Sequence, residues 1–128
     1  MNFSKYNKIF GIFCGLIAFV VYSLTVEPTA SYWDCAEYIS TSAKLQIGHP
    51  PGAPLFQMLG AIFSILALNN EQIAYTVNMM SVTSSAFTIV FLFWSISLLV
   101  KKILGIRKTI EKNELMKVFG SSFLGALT

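Results

Sequence analysis

Apolar residues run almost unbroken from Ile9 to about Val26 and stop at Glu27 and Pro28. A helix over 9–26 would be roughly 27 Å long, close to the thickness of a bilayer's hydrocarbon core. A second apolar stretch, 53–68, is short for a crossing, whereas a third, 73–100, is long enough to cross with tilt. Between the first two lies a polar loop, 27–52. Within it Tyr32, Ala36, Ile39, Ala43 and Ile47 recur every three or four residues, which predicts a short helix over 33–45. Ser31 is its expected cap, with Asp34 at the third helical position. Gly48 is its expected end, and His49-Pro50-Pro51-Gly52 forbids continuation. A charged segment, 101–114, then precedes a last apolar stretch, 115–128, whose Gly120, Ser121 and Gly125 form a small-residue face suited to close helix packing. The pattern predicts an all-α, polytopic transmembrane protein. Because the last run stops mid-pattern, the chain reads as the N-terminal part of one membrane domain, cut within a third spanning helix.

Composition sharpens this reading. Of the 128 residues, 55% are hydrophobic and 12% charged, against about 25% charged in ordinary soluble domains. The basic residues flank the apolar runs: Lys5 and Lys8 before the first, Lys101, Lys102, Arg107 and Lys108 after the third. That distribution, with net charge +3, fits membrane flanks and not a nucleic-acid groove, which would interleave exposed aromatics. Cleavable signal peptides also begin with lysines, but the 9–26 run is long for one and no small-x-small cleavage site follows. An uncleaved helix with a cytoplasmic N-terminus is the favoured alternative. If 53–68 spanned as well, the basic cluster after residue 100 would fall outside. Placing 53–68 as a juxtamembrane helix on the outer face keeps both basic clusters in the cytoplasm. Cys14 and Cys35 fit neither a metal-ligand spacing nor an obvious disulfide.

The candidate chemistry lies in the polar loop. Asp34 and Glu37, three apart on the predicted helix, can share a side. Such a pair can bind a divalent cation, or one member can take a proton from a hydroxyl; equally, both can simply face solvent. His49, the chain's single histidine, suits a hydrogen-bonded structural role more than that of a metal ligand, and it can also donate to a phosphate where the two prolines fix its backbone. Trp33 and Tyr32 are suited to anchoring at the headgroup level. Asn78 lies near the outer end of the long helix, where an interfacial position accounts for it. The aromatic run Phe87, Phe91, Phe93 and Trp94 reads as lipid-facing or packing surface.

The run Glu27-Pro28-Thr29-Ala30-Ser31-Tyr32-Trp33-Asp34-Cys35-Ala36-Glu37-Tyr38-Ile39, followed by Leu45-Gln46-Ile47-Gly48-His49-Pro50-Pro51-Gly52-Ala53-Pro54-Leu55, closely resembles the start of a Bacteroidetes-type bacterial membrane-protein family of unknown function, DUF2723. That family is similar to the protein O-mannosyltransferases and the wider GT-C glycosyltransferases. The resemblance implies a GT-C-like fold with juxtamembrane helices, in a bacterial inner membrane, with the catalytic loop periplasmic. It further implies sugar transfer, with inversion, from a polyprenyl-phosphate-linked donor to a hydroxyl acceptor such as a protein Ser or Thr. Asp34 matches the catalytic aspartate of the first external loop, His49 the histidine of the mannosyltransferase pattern, and Pro50 and Pro51 its proline pair. Trp33 and Gly52 complete the two motifs as site-shaping residues. The mannosyltransferases carry an acid directly after the aspartate; here Cys35 and Ala36 intervene before Glu37, which leaves Glu37 at most a supporting group. Lys44 is the one cation in the loop, so the groups that hold the lipid phosphate are expected outside this chain, and the chain alone is expected to be inactive. A transporter subunit or a non-catalytic assembly factor are the competing classes; the first would call for ionisable groups within the spanning helices.

Overall fold

The computed structural model describes residues 2–50, 52–107 and 109–128. Its regular elements are helices: α1 (Phe3–Thr25), α2 (Cys35–Lys44), α3 (Pro54–Ser64), a 3₁₀ turn (Asn70–Gln72), α4 (Ile73–Ile103), α5 (Lys112–Leu115), a π turn (Met116–Gly120) and α6 (Ser121–Leu127). Two compact units form, Met1–Tyr22 with Ser84–Thr128, and Ser23–Thr83.

In the first unit, α1 turns Phe3, Asn7, Gly11, Cys14, Gly15 and Ala18 inward. Their spacing of three to four residues defines one helix face. The opposite face does not become polar. Ile9, Ile12, Phe13, Leu16 and Val20 are all about half exposed. Only 22% of the most apolar stretch of α1 is buried, and the same share of that in the helical segment Asn70–Ile103. A core helix of a soluble protein would be buried far more completely, so these two helices, apolar all round and long enough to cross a membrane, make the protein membrane-associated. The core of this unit is largely aromatic. Phe93 stacks on Phe119 at 6.2 Å and meets Phe123 edge-on at 5.1 Å, while Phe3 and Phe10 close on Phe119 at 5.7 and 5.0 Å. Two polar groups are satisfied inside it: Ser97 Oγ donates to Asn7 Oδ1 at 2.6 Å, and Trp94 Nε1 donates to the Asn7 carbonyl at 3.1 Å. Phe93 is thus core, whereas Phe87 and Phe91 stay exposed. The C-terminal helical stretch starts earlier than its apolar pattern suggests, because Glu111 and Glu114 form a capping box. The residues it buries are Val118, Phe119, Ser122 and Ala126, and Gly125 packs closely as well, since a Cβ there would lie 2.9 Å from Ile96 Cδ1.

In the second unit α2 packs on α3, with Tyr38 edge-on to Phe56 at 5.4 Å. The buried Gln57 donates from Nε2 to Thr41 Oγ1 at 3.2 Å. Asn78 has a more definite role than its position on α4 suggests. Its Nδ2 donates to the carbonyls of Glu27 and Thr29 at 2.9 and 3.0 Å, tying the start of the polar loop to α4. With 11 residues, α3 is about 16 Å long, roughly half of what a crossing needs.

Candidate functional site

Helix α2 begins one residue after Asp34, which takes the N-cap position in place of Ser31 and whose side chain makes no capping bond. The carboxylate therefore makes no bond to its own helix and is 59% exposed. Just before it, Trp33 adopts φ 61° with its side chain 94% exposed. The helix ends at Lys44. Leu45 takes the left-handed conformation (φ 50°), its N–H bonding to Ser42 O and that of Gln46 to Thr41 O. This is the Schellman arrangement, in which glycine usually occupies the left-handed position; Gly48 comes three residues too late to serve it.

Gly48 acts elsewhere. A Cβ at this position would lie 2.9 Å from Gln57 Nε2 and 3.2 Å from Glu37 Oε1, so the bare backbone lets the chain pass close to Glu37. The next residue then closes on that carboxylate twice. Glu37 Oε1 accepts from the His49 backbone N–H at 2.7 Å, and Oε2 lies 2.8 Å from His49 Nδ1. On its other side, His49 Nε2 lies 3.9 Å from Asp34 Oδ2. Pro50 is exposed; the Gly52 N–H returns to the His49 carbonyl at 2.9 Å, with Gly52 at φ 72°, a conformation glycine adopts without penalty. Pro51 lies outside the described residues.

The loop therefore gathers Asp34, Glu37 and His49, with one donor atom from each within 4.8 Å of the others. One divalent cation can span such a set. As folded, both Glu37 oxygens face His49, Oε1 its backbone N–H and Oε2 its Nδ1, and each oxygen keeps a further lone pair. Gln57, Thr41 and Gly48 support the cluster, and none was legible as a site residue. The one sequence signal was the i, i+4 relation of Glu37 and Thr41, whose Oγ1 donates to the Glu37 carbonyl at 2.8 Å.

The contact also sets the titration of both partners. The His49 backbone N–H first, and its ring second, hold the Glu37 carboxyl below its ordinary range. The hydrogen bond to Glu37, then the charges of Glu37 and Asp34, raise the His49 imidazole above its ordinary value. A raised imidazole stabilises the fold at pH below its unfolded pKa, and that contribution is lost as pH rises through the folded value. The lowered Glu37 contributes above its unfolded pKa and loses this as pH falls through its folded value. The charged pair is thus complete only between the two folded-state titrations. NMR titration of His49 is expected to give a midpoint above about 6.5, and Glu37→Gln is expected to lower it. An identical midpoint in the variant would mean that the carboxylate does not act on the ring.

A helical, membrane-associated chain with a carboxylate–imidazole cluster on its polar loop defines the class. Residues 34–128 match the family described as the Protein O-mannosyl-transferase TMEM260 N-terminal domain, and the chain belongs to that family. Over 80 residues it is 34% identical to the Protein O-mannosyl-transferase tmem260 of Dictyostelium discoideum, an alignment covering 62% of this chain and 10% of that protein. The chain thus corresponds to a small part of that relative's length. No solved structure matches it. These findings correct the expected membership in the bacterial DUF2723 family: the matching family is that of TMEM260, and the relative is eukaryotic. The Trp-Asp-x-x-Glu and His-Pro-Pro-Gly motifs had pointed to the O-mannosyltransferases at large, in agreement with the matching family, but named the wrong branch. The bacterial inner membrane rested on that branch and has no other support.

Proposed function

We propose that the full-length protein transfers a sugar from a polyprenyl-phosphate-linked donor to a hydroxyl acceptor, with inversion, at the non-cytoplasmic membrane face. Asp34 is the general base. The observation that carries this reading is the exposed carboxylate of Asp34 at the start of α2, which makes no bond to its own helix and lies within the residues matched to the mannosyltransferase family. The acceptor hydroxyl gives its proton to Asp34 as its oxygen bonds to the anomeric carbon; the bond from that carbon to the phosphate oxygen breaks, and the lipid phosphate departs. The test is to incubate purified full-length protein with a polyprenyl-phosphate sugar and a Ser/Thr peptide, and to read the anomeric configuration of the product by NMR. An inverted glycoside is expected; a retained configuration, or no transfer from any such donor, would overturn the assignment.

Topology follows from the same reading. With α3 about half a membrane thickness in length and basic clusters at both cytoplasmic flanks, loop 27–52 and α3 lie on the outer side. A cysteine placed at Asn70 is expected to react with an impermeant maleimide in intact membranes. One at Arg107 is expected to react only after permeabilisation. Protection of position 70 would mean that 53–68 spans.

A further inference from the structure

The role of Glu37 is the point that the family pattern leaves open, and the geometry addresses it. A carboxylate beside a catalytic aspartate would be read as a second acid, free to take protons or metal. Glu37 is not free. Its two oxygens are occupied by one residue twelve positions on, Oε1 by the backbone N–H of His49 at 2.7 Å and Oε2 by the ring at 2.8 Å. An ionised carboxylate only accepts hydrogen bonds, so the nitrogen facing it, Nδ1, must carry a hydrogen. The backbone bond removes the freedom of the chain at His49, and the ring bond removes rotation about its side-chain torsions. Nε2 is then the nitrogen turned toward Asp34, 3.9 Å from Oδ2.

That separation is too long for a hydrogen bond between the two. It is short enough for one oxygen atom to sit at about 2.8 Å from both, an ordinary hydrogen-bond distance. All three side chains are partly open to solvent, so a substrate can reach the gap. We propose that Glu37 is a positioning residue that acts through His49, presenting Nε2 opposite Asp34 so that the two form a two-point seat for the acceptor hydroxyl. The identity of the occupant rests on the glycosyl-transfer reading; the role of Glu37 toward the ring does not. In the seat the ring acts as the imidazolium, the form in which Nδ1 and Nε2 both carry hydrogen, and the hydroxyl proton passes to Asp34 Oδ2. One lone pair of the hydroxyl oxygen accepts from Nε2–H and the other attacks the anomeric carbon, whose bond to the lipid phosphate oxygen breaks. Glu37 exchanges no proton with substrate.

Two measurements test this, one of them independent of turnover. Long-range ¹H–¹⁵N spectra of the ¹⁵N-histidine-labelled chain, with His49 assigned by its loss in H49Q, report the tautomer above the ring's titration. The Nδ1–H tautomer is expected in the native protein and the Nε2–H tautomer in E37Q. A native ring already in the Nε2–H form would overturn the positioning role. The second measurement is a double-mutant cycle in the full-length enzyme. E37Q is expected to lower kcat/KM for the acceptor by about 10- to 100-fold, the usual cost of losing an outer orienting partner, with donor binding unchanged. In the H49Q background the same change is expected to cost less than about threefold, because Glu37 then has nothing to position. An equal loss in both backgrounds would give Glu37 a function of its own and end the proposal. If full-length protein transfers no sugar at all, the function fails while the tautomer still decides the role of Glu37.

Discussion

Asp34→Asn is expected to reduce sugar transfer by about 10²- to 10⁴-fold, the usual cost of a lost general base, while donor binding and folding stay intact. The substitution is unusually clean. Asp34 occupies the N-cap of α2, and its side chain makes no bond to the helix. Asn is as good an N-cap residue as Asp, so α2 has no reason to unravel, and the amide keeps the shape of the carboxylate without its capacity to take a proton. Nor does the change disturb the Glu37–His49 contact, whose two hydrogen bonds involve neither Asp34 oxygen. Turnover and lipid-donor binding, measured side by side on full-length wild type, Asp34→Asn and Glu37→Gln, separate the roles. Glu37→Gln should fall between wild type and Asp34→Asn, because it loosens the seat and leaves the base. Near-wild-type turnover in Asp34→Asn would return the acid to an ordinary solvent-facing role.

The two long apolar helices were legible because their signal is redundant: many residues each repeat the same statement about burial. Their ends were not. Helix α1 starts at Phe3, upstream of the apolar run at Ile9, because a polar residue, Asn7, is buried and paired with Ser97 ninety positions away. At the other end of the pattern α4 runs past Val100 to Ile103, and the Lys101 ammonium lies 4.6 Å over the Phe3 ring, a cation–π contact in place of a flanking charge. Such pairings carry no periodicity. The same limit applied at the loop. Two acids three residues apart on a helix could be read from spacing, and so could the turn after Gly48. That the turn would bring His49 onto Glu37, leaving Asp34 opposite the far ring nitrogen, depends on where Leu45 bends the chain. A left-handed leucine is not something sequence propensity foretells.

Gly11→Ala is expected to destabilise the first unit by about 1–3 kcal/mol, the range for overpacking a well-filled site, although a glycine-to-alanine change inside a helix ordinarily gains about 1 kcal/mol. The sign is decided by what stands over the glycine. A Cβ on Gly11 would lie 2.1 Å from Trp94 Nε1, 2.7 Å from Cδ1 and 2.9 Å from Cε2, far inside contact distance. The indole has little freedom to retreat, since its N–H is bonded to the Asn7 carbonyl one turn away at 3.1 Å. Moving the ring would break that bond in an apolar setting, where an unpaired donor costs a further 1–3 kcal/mol or so. Gly120 provides the matched control. It too is helical, but a Cβ there meets nothing within 4 Å, so Gly120→Ala should be neutral or mildly stabilising. Thermal unfolding in detergent, followed by tryptophan fluorescence, compares the two directly. A Gly11→Ala protein as stable as Gly120→Ala would mean that the indole does not rest on Gly11, and the inward face of α1 would need a different partner.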